Sequence, residues 1–227
     1  PLDVLRDFMG HLRYCSFLTS MKISHFFLAV MFFGLSAAFA GGQPKLVLLQ
    51  GDRFVLDLRY ATDDNFLKKN VYREFGLNQC YVHPDLAAKL QKLPALLAEK
   101  KLKLVLWDCY RPLAVQKAMW KLVPDSRYVA DPKMGSNHNR GIAVDATLAD
   151  ENVKLLEMPT GFDDFSSKAS PGYVCGTEEK KKCANRALLM EVMGKIGLKP
   201  LNSEWWHYQL PNANGYPIIE ALDVPPS

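Results

Sequence analysis

The spacing of apolar residues changes several times along the chain, and each change marks an element. Leu46 to Gln50 and Arg53 to Tyr60 alternate or run apolar in the manner of strands, with Gly51-Asp52 as a turn between them. Tyr60 to Phe66 is polar enough to be loop. Asp85 to Lys101 has apolar positions at helical spacing; Asp85 can cap or charge the first turn, and Pro94 must kink or divide the helix. Leu102 to Trp107 has the unbroken apolar run of a buried strand and ends in Asp108-Cys109-Tyr110-Arg111-Pro112. A helix is predicted over Leu113 to Val123, a surface loop over Pro124 to Asn137 and a strand after Gly141. Cys183 to Ile196 reads as a helix stopped by Gly197, and Trp205 to Leu210 as a last strand. The late strands lack regular crossover helices. The pattern therefore predicts an α+β domain with a mainly antiparallel central sheet flanked by helices, not a doubly wound parallel one. No repeat or linker divides it, so residues 41–227 are expected to form one domain.

The first 40 residues follow a different pattern. Residues 21–40 join a Met and a Lys to an apolar run and end in small residues around Ala-Phe-Ala, the layout of a secretory leader cleaved near Ala40. The run is short for a bilayer span, which needs about 20 residues. Residues 1–20 then read as an upstream translation artefact. The mature protein is expected to be periplasmic or secreted, with no membrane partner once the leader is cut.

Composition changes this picture little. The chain has 227 residues, 48% of them hydrophobic, and a net charge of +4 spread along its length apart from Lys180 to Lys182, so no nucleic-acid partner is expected. Four cysteines follow the leader, an even number that an oxidising compartment can pair. Cys175 and Cys183 flank a short polar loop and are expected to bridge; Cys80 and Cys109 are either a second bridge or two buried thiols.

Two stretches carry candidate chemistry. Gly135 to Asp145 places His138 and Asp145 seven residues apart across Gly141, and Glu204-Trp205-Trp206-His207 adds a second His with a carboxylate three residues before it. His, Asp and His with a spare Glu are what a catalytic zinc needs: three protein ligands, an open fourth position and a carboxylate to handle the proton. An odd separation would put His138 and Asp145 on opposite faces of one straight strand, but a turn at Gly141 removes that objection. Plainer readings compete. His207 could be a packed core residue, Arg111 could only pair with Asp108, and Asp163 could belong to a solvated turn. Trp205 and Trp206 read as core and pocket wall.

These residues resemble the VanX-type D-alanyl-D-alanine dipeptidases, zinc peptidases related to the D,D-carboxypeptidases and to the Hedgehog-like fold. The family pattern Ser-x-His-x-x-Gly-x-Ala-x-Asp is met by Ser136, His138, Gly141, Ala143 and Asp145, and Glu-Trp-Trp-His by Glu204 to His207. Further matches are Tyr60-Ala61-Thr62 with Asn65-Phe66, Trp107-Asp108-x-Tyr110-Arg111-Pro112, and Met158 through Phe162-Asp163. The resemblance implies one zinc ion per chain on His138, Asp145 and His207, with Glu204 as general base and then general acid. It implies that Arg111 steadies the oxyanion, Asp163 holds the substrate's amino group, and Ser136 touches a small D,D-dipeptide substrate. A D,D-carboxypeptidase or endopeptidase acting on peptidoglycan stems, and a non-catalytic zinc-stabilised module that binds wall peptides, are the alternatives. Two features depart from the family: Cys109 inside Trp-Asp-x-Tyr-Arg, and the leader, which points to dipeptide outside the inner membrane.

Overall fold

The computed structural model describes residues 45–220. The leader and the residues before it lie outside that range.

Five strands form the central sheet in the order β2-β4-β5-β7-β6: Phe54–Leu56, Leu102–Asp108, Ala143–Asp150, Glu204–Gln209 and Lys199–Leu201. The pairs β4–β5, β5–β7 and β6–β7 are antiparallel, but β2 runs parallel to β4. The sheet is thus mixed, which corrects the expectation of a mainly antiparallel one. The cause lies early in the chain. Between β2 and β4 the chain passes through the helices α1, Pro84–Leu90, and α2, Leu93–Glu99, and such a crossover returns the next strand in the same direction.

Gly51-Asp52 does not join a hairpin either. The first strand, β1 at Val47–Leu48, pairs with β3 at Tyr81–Val82 in a separate two-stranded sheet. Pro94 divides the helical run as its chemistry requires, falling in the first turn of α2, where a missing N–H is harmless. Asp85 only charges the first turn of α1. The cap is His83, whose Nδ1 accepts from the Asp85 N–H at 3.1 Å.

The core follows from period two. Along β5, Val144, Ala146 and Leu148 are fully buried in the main cluster, together with Leu104 and Leu106 of β4. Leu90, Leu93 and Leu97 of α1 and α2 join them, as do Leu189, Val192 and Met193 of α4, Lys180–Lys195. Ala143, Asp145 and Thr147, which alternate with these, are thereby turned away from the main core. A second cluster joins Tyr60, Val71, Tyr72 and Leu77 to Val115 and Met119 of α3, Leu113–Leu122. Both cysteine pairs are bonded, Cys80 to Cys109 and Cys175 to Cys183, so Cys109 has no free thiol. Among the described residues no helix is long and apolar enough to cross a membrane.

Candidate active site

Asp145 and His207 are direct partners in the β5–β7 ladder. Directly opposed residues on antiparallel strands project to the same side with Cβ atoms about 5 Å apart, so the sheet itself sets the distance between these two side chains. His138 arrives from a tight turn, His138–Arg140, that Gly141 closes at φ +67. Only glycine fits there: a Cβ would stand 2.7 Å from Leu46 Cδ2 and 3.0 Å from the His83 backbone nitrogen.

Three ligand atoms converge as a result. His138 Nε2 is 3.1 Å from His207 Nδ1, His207 Nδ1 is 3.1 Å from Asp145 Oδ1, and His138 Nε2 is 3.4 Å from the same oxygen. Ligand bonds of about 2.0–2.1 Å at tetrahedral angles give edges of roughly 3.3 Å, so the triangle has the size of one face of a zinc tetrahedron. The protons agree with this. His138 Nδ1 lies 2.8 Å from the Cys109 carbonyl and His207 Nε2 lies 2.8 Å from Gln209 Oε1; both oxygens can only accept, so each ring carries its hydrogen on the outer nitrogen. The inner nitrogens then face each other and a carboxylate with lone pairs alone. A proton on His207 would satisfy one contact, whereas a divalent cation satisfies all three. This is the one group of His, Cys, Asp and Glu found with metal-holding geometry among the described residues.

Glu204 lines the same cavity, and burial pushes its carboxyl pKa up. Its separation from His207 is odd, which a straight strand would not allow. The β6–β7 ladder is irregular here: Pro200 pairs with Tyr208, yet Leu201 pairs with Glu204. The irregularity lets Glu204, Trp206 and His207 all line the cavity while Trp205 stays in the core.

Arg111 lines it too, and it also pairs with Asp108. Its Nη2 and Nε donate to Asp108 Oδ2 at 2.5 and 3.2 Å, its Nη1 donates to Gln116 Oε1 at 2.9 Å, and the guanidinium lies 4.9 Å from the Tyr60 ring centre. Burial lowers its pKa, but Asp108 together with Tyr72, Tyr60 and Asp145 outweighs burial and holds it well above the ordinary value. A fixed cation therefore faces the cavity.

Asp163 sits across from it at φ +56 and accepts from Tyr60 Oη at 3.0 Å and from the Phe66 N–H at 3.2 Å. Burial raises its pKa to about 7. Ser136 lines the cavity, and its Oγ accepts from the His138 N–H at 3.2 Å. All the residues picked from the sequence thus meet in one cavity of about 210 Å³, apart from the distant Cys175–Cys183 pair.

Three supporting residues were given no role from the sequence, although Tyr60 matches the family pattern. Tyr60 ties Arg111 to Asp163. Asn139 is fully buried, donating to the Arg111 carbonyl at 2.7 Å and accepting from the Ser136 N–H at 2.7 Å. Gln209 had a usable signal, since it stands two residues after His207 on a strand and so shares its face. Asn139 had none, because the Arg111 carbonyl that it braces lies 28 residues away.

The profile of the M15 peptidase family, described as D-ala-D-ala dipeptidase, matches residues 49–222. A D-alanyl-D-alanine dipeptidase of Escherichia coli (strain K12) is 36% identical over 164 residues, 72% of this chain and 82% of its own length. One of Enterococcus faecium is 32% identical over 188 residues, covering 70% of this chain and 89% of its own.

Proposed function

The chain belongs to the D-ala-D-ala dipeptidase family and is a metallopeptidase, and on that premise we propose that it hydrolyses D-alanyl-D-alanine to two D-alanines with one zinc ion held by His138, Asp145 and His207. The observation that carries this reading is the triangle of three ligand atoms, 3.1 to 3.4 Å apart, in a cavity that Glu204 also lines. When bound, zinc supplies a Lewis acid that brings the pKa of a water towards ~7 and polarises the scissile carbonyl.

The chain's own groups do the rest. Glu204 takes the proton of the attacking water and returns it to the leaving amine; burial raises its proton affinity, which suits a group that must both accept and donate. Arg111 offers N–H groups to the carbonyl oxygen as charge develops there. Asp108 and Gln116 hold it beforehand, so little reorganisation is needed at the moment of reaction. Asp163 receives the substrate's ammonium, which relieves a carboxylate that burial disfavours as an anion. Ser136 contacts the dipeptide.

A cavity of about 210 Å³ is small beside the ~300–1,000 Å³ of drug-sized sites, which suits a dipeptide better than a peptidoglycan stem. The fold is taken to be of the Hedgehog/D,D-peptidase kind. Two disulfides and the pattern of residues 21–40 support a periplasmic or secreted place after cleavage near Ala40, with residues 41–227 as one domain.

The test is to incubate the purified protein and zinc with D-alanyl-D-alanine, its N-acetyl derivative and an acylated pentapeptide stem, and to measure free D-alanine. Release from the free dipeptide alone is expected. Equal release from the acylated substrates would replace the dipeptidase with a D,D-carboxypeptidase.

A further inference from the structure

β4 ends at Asp108, which still pairs with Asp145 across a register shift after Leu106, and Cys109 to Arg111 then leave the sheet. Asp108, Cys109 and Arg111 each support the site. Asp108 holds Arg111 and lies 3.4 Å from His138 Nδ1; the Cys109 carbonyl accepts from that same Nδ1 at 2.8 Å; the Arg111 N–H donates to the His138 carbonyl at 3.1 Å. Released from the ladder on this side, the segment needs another anchor.

Residues 80–83 provide one. Cys80 is bonded to Cys109, the Tyr81 carbonyl accepts from the Tyr110 N–H at 2.9 Å, and the His83 N–H donates to the Gly141 carbonyl at 2.7 Å. One short segment thus grips both the loop that orients the ring of His138 and the turn that carries His138. The covalent link is also the most buried part of the grip, with Cys80 at 0% and Cys109 at 2% exposure.

We infer that the Cys80–Cys109 bridge is a positioning device for the metal centre, fixing the carbonyl that sets the tautomer and direction of His138 and the chain that carries Arg111. This rests on the metal-site reading given above. The second bridge serves as an internal control. Cys175 and Cys183 are half-buried near the start of α4, eight residues apart, and neither lines the cavity.

Partners that orient a ligating His are worth about 10–100-fold in metal affinity. The Cys80→Ala/Cys109→Ala protein should therefore bind zinc at least tenfold more weakly in chelator competition. Its cobalt form should have an altered visible spectrum, and its kcat should fall with KM changed less than twofold. Cys175→Ala/Cys183→Ala should match the parent in all three. Cys80→Val/Cys109→Ala refills the lost volume; because packing is restored and the covalent link is not, weak zinc binding should persist at a temperature where circular dichroism shows the metal-free protein folded.

The unaltered protein gives a second route through a trialkylphosphine, which passes two electrons to a disulfide and takes oxygen from water, whose two protons go to the thiolates. With iodoacetamide present to alkylate the freed thiols and release iodide, zinc release should follow alkylation of Cys80 and Cys109, read by mass spectrometry, and not alkylation of Cys175 and Cys183. Parental zinc affinity in a folded variant without the bridge, or zinc retained after Cys80 and Cys109 are alkylated, would overturn the inference. An unaltered protein that binds no zinc would instead overturn the metal-site reading itself.

Discussion

The two sides of the cavity are built by different means. On the metal side, Asp145 and His207 are ladder partners on neighbouring strands, and the turn carrying His138 is fixed by a glycine that no other residue could replace. On the substrate side, Asp163 and Ser136 lie outside the regular elements and are held by side-chain hydrogen bonds to Tyr60, Phe66 and Asn139. Backbone pairing fixes distances to a few tenths of an ångström, as three converging ligands require. Side-chain networks are easier to re-form around a different substrate. The metal side should therefore decide whether there is chemistry at all, and the substrate side which molecule undergoes it.

Substitutions can break that division. His207→Ala should have the largest effect, losing both the metal and turnover, because two remaining ligands cannot complete the set; metal analysis after gel filtration, together with D-alanine release, reads both. Glu204→Ala should keep the metal and lose about 10²–10⁴-fold in kcat, the range for removing a general acid–base group. A Glu204→Ala protein with normal turnover would reassign the base. Arg111→Ala should cost about 10²–10³-fold in kcat, as expected of a donor aimed at developing charge, with bound zinc unchanged.

The smallest effect sharpens the comparison from the other side. Asp163→Asn should leave metal and kcat nearly intact and raise KM for the free dipeptide about tenfold, equivalent to ~1.4 kcal/mol, so narrowing the preference over the N-acetyl dipeptide. It should also change the pH profile. Burial raises the Asp163 pKa to about 7, and the ammonium needs the ionised form. In the parent, kcat/KM should therefore fall as pH drops through the interval between the ordinary carboxylate range and about 7, and the substitution should remove the part of that fall due to Asp163, leaving the part due to Glu204.

Much of the metal side was legible because its signals are local. His138, Gly141 and Asp145 fall within eight residues, and Glu204 with His207 within four. The helix division at Pro94 and the stop at Gly197, which adopts φ +74, were legible for the same reason. What depends on distant pairing was not. The parallel β2–β4 edge follows from where the chain returns after α1 and α2, a matter of tertiary packing that period-two alternation does not encode. Cys80 and Cys109 are 29 residues apart, and nothing between them selects a bridge over two thiols. The common direction of Glu204 and His207 depends on an irregular strand, which their spacing does not encode.

Metal stoichiometry and activity, measured together, test the zinc site most directly. Protein stripped by chelation and then titrated with zinc should release D-alanine from D-alanyl-D-alanine in proportion to the zinc added, reaching a plateau at one ion per chain, with His138→Ala showing no such rise. Full activity in protein shown by metal analysis to be empty would contradict it.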